Sequence, residues 1–178
     1  QRILGRRSVV VSARYSSLWT SDNIVKSPHK DVVIPHRTIV EHIWENIVKW
    51  ADKTALVCGV TNRSITYQQL YKYSRNLGAQ LRTQLKIRDG DVVCIMMPNS
   101  PEFAVTVLGI LESGAEVTTV NPIYTAHEVQ RQLVLSKPNV IIGIPETIKV
   151  IKEALLLAKM DIPIIGITND GSSLPGVI

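Results

Sequence analysis

The sequence predicts an α/β fold, a parallel βαβ sheet layer with flanking helices, and three observations carry that reading. Four short β-type runs occur, Val92–Met96, Val117–Val120, Val140–Gly143 and Ile164–Ile167, and all but the second are apolar at consecutive positions rather than at alternate ones. Strands of that kind are buried on both faces, as in a parallel sheet covered by helices. Each gap between them has helical length and helical spacing of apolar residues, the alternation that defines βαβ units. At 178 residues and 45% hydrophobic content, the chain is also large enough to bury such a core.

The elements ahead of the array follow from local signals. Ile39, Ile43, Ile47 and Trp50 recur at helical spacing after Thr38, a natural N-cap, and predict one helix over 39–50 with those four residues on one apolar face, expected to stay exposed in this chain. The stretch TALVCGVTNRSITY holds two β-type runs around Gly59–Arg63 and predicts a hairpin. Thr66 and Gln69 have capping-box spacing, and Leu70, Tyr73, Leu77, Leu81 and Leu85 mark a long helix that must end before the Asp89-Gly90 turn.

Within the array, Pro98 closes the first strand, Ser100 can cap the next helix, and Pro101 suits its first position because the missing N–H has no helical partner there. This helix is predicted over 101–113 with Phe103, Val107 and Leu111 on one side, and Gly114 as its C-terminal cap. Thr125 and Glu128 form a second capping box that opens a helix over 126–135, and a last helix spans 146–159. In open α/β sheets, ligands bind beyond the carboxyl ends of the strands, where helix N-termini present free N–H groups. The loops Met97–Pro101, Asn121–Thr125 and Ile144–Thr147 occupy that position, although fold chemistry alone accounts for the first two.

Charge and cysteine usage narrow the function classes. The formal net charge is +5, but Arg2, Arg6, Arg7 and Arg14 all precede the first acidic residue, Asp22, so the remainder carries a formal +1. That is no basic face for nucleic acid. No apolar run reaches the length of a membrane span. Residues 1–26 are expected to be a leader: arginines, serines and valines without an acid are the bias of a mitochondrial transit peptide, and ARYSSL resembles the processing pattern of the matrix peptidase. Mitochondrial targeting is expected, with a peroxisomal location as the alternative. Cys58 and Cys94, each in an apolar run, are expected to be reduced core residues rather than a disulfide.

Sharper motifs fail on chemistry. Gly109 and Gly114 have Walker-A spacing, but Ala115-Glu116 stands where Lys and Ser/Thr are required. His127-Glu128 begins like a zinc-protease helix, but Arg131 replaces the second imidazole. His29, His36 and His42 share no ligand spacing, and Asn62-Arg63-Ser64 reads as turn chemistry rather than a glycosylation site. No catalytic, cofactor-binding or metal-binding residue is assigned from the sequence.

Taken together, SPHKDVVIP, TNRSITYQQL, GDVVCIMMPNSPEF, LGILESGAEVTTVNPIYTAHEV and KPNVIIG resemble the N-terminal part of adenylate-forming acyl-CoA synthetases, with coumarate:CoA ligases and firefly-luciferase-like ligases the nearest in pattern. The likeness runs over about residues 27 to 170 in the same order. It implies that residues 27–178 are part of the large N-terminal AMP-binding domain, truncated before the phosphate-binding loop. It further implies a parent enzyme that uses ATP, Mg²⁺ and coenzyme A to convert a small-molecule carboxylic acid to an acyl-adenylate and then an acyl-CoA. Thr168–Ile178 has Pro175-Gly176 but lacks the lysine of the family's phosphate loop, so the catalytic residues are expected beyond Ile178 and the fragment alone is expected to be inactive. Two rival readings remain: a flavodoxin-like nucleotide- or flavin-binding module, and a non-catalytic truncated partner of a full-length enzyme.

Overall fold

A computed structural model describes Ile24, Val25, Ser27, residues 29–168, Val177 and Ile178. Most of the expected leader, residues 1–23 and 26, and most of the Thr168–Ile178 segment lie outside the described residues. The chain divides into two units, residues 1–36 and 37–178. In the first, the described residues from His29 to His36 are exposed, and the Ser27 hydroxyl accepts the His29 N–H at 3.2 Å.

The second unit begins with α1 (Ile39–Trp44) and α2 (Ile47–Trp50), followed by a hairpin of β1 (Thr54–Val57) and β2 (Ser64–Thr66) and a long helix, α3 (Tyr67–Thr83). Then come β3 (Val92–Met96), α4 (Pro101–Glu112), β4 (Glu116–Thr119), α5 (Ala126–Ser136), β5 (Val140–Gly143), α6 (Pro145–Ala158) and β6 (Ile164–Gly166). The four strands after α3 form one parallel sheet in the order β4-β3-β5-β6. Ile178 extends it: its N–H donates to the Ile164 carbonyl at 2.9 Å and its carbonyl accepts from Gly166 at 3.0 Å.

Alternation along β3, β5 and β6 explains why they are apolar throughout, whereas the edge strand β4 leaves Glu116 and Thr119 exposed. Cys94, Met96, Ile141 and Ile164 face one way and pack with Val129 and Leu133 of α5 and Ile148, Ile151 and Leu155 of α6. Val93, Ile95, Val140 and Ile142 face the other way, against Leu81 of α3 and Ile110 of α4. A third cluster lies outside the sheet, where Val40 and Trp44 of α1, Ile65 of β2 and Leu70 of α3 meet Ala104, Val105, Leu108 and Leu111 of α4.

The capping expectations hold. Thr66 and Thr125 each accept the N–H of their third helical residue, and the Gln69 and Glu128 side chains answer to the cap backbone. Ser100 accepts the Phe103 N–H at 3.3 Å, with Pro101 at the first position of α4. Gly114, at φ 79°, supplies the left-handed residue after α4.

Three expectations about the helices need correction. Residues 39–50 are not one helix, because the chain breaks at Glu45-Asn46. The buried face of α1 is Val40 and Trp44, while Ile39, Ile43 and Trp50 are exposed. The indole decides this: its N–H finds the Glu112 carboxylate at 2.7 Å and its ring meets Tyr71 edge-on at 5.2 Å, which places Trp44 inward and turns Ile39 and Ile43 outward. Along α4, Phe103 and Val107 serve the sheet core, but Leu111 belongs to the third cluster, since this helix is covered on two sides. In α3, Tyr73 is exposed and Leu85 lies past the last turn, while Ser74 and Gly78 are buried between Leu70 and Leu81.

Candidate functional site

Strand order fixes where a ligand crevice can form. From β3 the chain crosses to β4 on one side, and from β5 it crosses to β6 on the other, so β3 and β5 diverge at their carboxyl ends. Such a switch point is where open α/β sheets bind ligands. Here the β3–α4 and β5–α6 loops bound a crevice of about 180 Å³ lined by Pro98, Ser100, Glu102, Ile144, Pro145, Glu146 and Ile167. One hydroxyl ties the two loops: Thr147 Oγ1 accepts the Ile144 N–H at 3.0 Å and lies 3.0 Å from the Met96 carbonyl oxygen, which it can reach as a donor.

The electrostatics of this rim are acidic. Glu102 and Glu146 stand in the first turns of α4 and α6, and no cationic side chain lines the crevice itself. Burial alone would raise the Glu102 carboxyl, but hydrogen bonds from Arg63, from its own N–H and from Ser100 hold it below the ordinary carboxylate range. At the third rim loop, Asn121 Oδ1 accepts the Ile123 N–H at 3.2 Å, and Glu128 is held ionised by the Thr125 backbone N–H at 2.8 Å and by the Thr125 hydroxyl. The N-termini of α4 and α5 are already capped by side chains and each carries a glutamate, which leaves little there for an anion, whereas Ile144 gives α6 no side-chain cap. Among the described residues no group of three or more His, Cys, Asp or Glu could hold a metal ion. No described residue of the rim is assigned to ATP phosphates or Mg²⁺, and no chemical step is assigned to it.

The positions flagged in the sequence have structural roles. Gly109 lies in the crossing of α3 and α4, and Gly114 turns the chain out of α4. His127 is exposed in the first turn of α5. Asn62, at φ 57°, forms the hairpin turn, its N–H donating to the Cys58 carbonyl at 2.8 Å. Cys94 is buried in β3, as expected, whereas Cys58 is only half-buried.

Sequence reasoning missed two features. Arg63, in the hairpin turn, pairs with Glu102 at the start of α4, and the two are 39 residues apart. Thr106 is fully buried in α4, and its hydroxyl has no hydrogen-bond partner among the described residues. No local signal could announce either one, since both depend on how the hairpin and α3 lie against α4.

Similarity to known proteins matches this architecture. The sequence pattern described as AMP-binding enzyme matches residues 43–173. A 4-coumarate–CoA ligase of Humulus lupulus is 37% identical over 131 residues, covering 73% of this chain and 24% of the relative. A 4-coumarate–CoA ligase of Petroselinum crispum is 38% identical over 122 residues, covering 68% of this chain and 22% of the relative. Among solved structures, the luciferase-like enzyme of the nonluminescent Zophobas morio mealworm superposes with a TM-score of 0.72 at 26% identity, over 82% of this chain and 34% of that one. The chain thus spans about a quarter of the length of the curated relatives it matches. With the family pattern matched from the end of α1 through the whole parallel sheet, the chain belongs to the AMP-binding enzyme family and corresponds to an N-terminal part of an adenylate-forming enzyme.

Proposed function

We propose that this chain is part of an ATP-dependent acid–thiol ligase, which joins a small-molecule carboxylic acid to AMP with release of pyrophosphate and then transfers the acyl group to coenzyme A, with Mg²⁺ as the metal. The observation that carries this reading is the match of residues 43–173 to the AMP-binding enzyme family together with 37–38% identity to two plant 4-coumarate–CoA ligases. Within that enzyme the described residues supply the parallel sheet and the helices that cover it; the chemistry falls to sequence outside them. An aryl-propenoate of the coumarate type is the first substrate to try, with medium- and long-chain fatty acids as the comparison.

The test is carboxylate-dependent ATP–pyrophosphate exchange on two proteins, the 178-residue chain alone and the continuous reading frame that contains it. The longer protein is expected to exchange pyrophosphate with Mg²⁺ and one acid of the panel, and to form the acyl-CoA once coenzyme A is added. The short chain is expected to do neither. No exchange by the longer protein on any acid would overturn the ligase reading. Exchange by the short chain would overturn its assignment as scaffold, and tight FMN binding by it would favour the flavodoxin-like alternative.

A further inference from the structure

We draw no further inference here: the strongest candidate, the crevice of about 700 Å³ between the C-terminal half of α6 and the β6 edge of the sheet, lined by Leu155, Leu156, Met160, Ile164 and Ile178 among others, carries nothing because nothing in the structure shows what covers it.

Discussion

Gly78 of α3 and Gly109 of α4 meet where the two helices cross: a Cβ on Gly78 would lie 2.8 Å from the Gly109 carbonyl oxygen, and one on Gly109 would lie 2.9 Å from Leu77 Cβ. Leu77 Cδ2, 2.8 Å from the Gly109 position, can rotate away, but the Gly109 carbonyl and Leu77 Cβ cannot, so the backbones themselves must part to admit a methyl group. Replacing glycine by alanine within a helix ordinarily stabilises by about 0.5–1 kcal/mol, whereas overpacking a tight contact costs about 1–3 kcal/mol. The second effect is expected to win. Gly78→Ala and Gly109→Ala should each lower the urea midpoint, and a rise in either would show that the helices cross less closely than this.

Just past the C-terminus of α4, Gly114 has φ 79° and its missing Cβ leaves room for the Asp89 carboxylate, which pairs with Arg82. Arg82 also donates to the Ser113 carbonyl at 2.6 Å, so the turn joins α3 to the end of α4. Gly114→Val combines a backbone penalty of about 1 kcal/mol or more with that collision. Pro101→Ala loses preset geometry and some buried contact but leaves the Ser100 cap in place. Thermal melts should show the larger loss for Gly114→Val, and equal losses would remove the cap assignment.

The Arg63–Glu102 pair makes a pH prediction. Glu102 is held below its usual 4.5 in the folded chain, so it contributes stability that is present above that value and lost as pH falls through the lower folded one. Glu102→Gln should therefore be less stable than the wild type near neutrality. The gap should close under acid, read as urea midpoints across the carboxylate range. A gap independent of pH would mean that the pair does not set this titration.

The two thiols should react unequally. Burial pushes Cys94 up to about 12, while hydrogen bonds from Thr61 and Val60 hold the half-buried Cys58 below its ordinary value. Thiolate is the reactive form, so iodoacetamide should label Cys58 well before Cys94 in the folded chain. Peptide mass mapping over time reads the order directly, and simultaneous labelling would contradict the burial of β3.

For the N-terminal segment, we propose delivery to mitochondria, because four arginines and no acid precede Asp22. Residues 1–30 fused to a fluorescent reporter should colocalise with a mitochondrial marker. A diffuse or peroxisomal signal would end that proposal.

By itself the sequence determined the features that arise within a few residues of chain. Thr66/Gln69, Thr125/Glu128 and Ser100-Pro101 announce helix starts because an N-cap and its partner are three residues apart in any fold. The doubly apolar strands announced a parallel sheet because burial on both faces leaves no polar position. The family was legible for a related reason, since its most distinctive runs are these strand-to-helix joints. Which helix face is buried could not be read so directly. Ile39 and Ile43 are as apolar as Val40 and Trp44, and only the position of Glu112, 68 residues away from Trp44, decides which pair turns inward. The same holds for the close approach of Gly78 to Gly109, the pairing of Arg63 with Glu102, and the burial of Thr106. Each depends on the space left between elements distant in sequence, and that space exists only once the helices have packed.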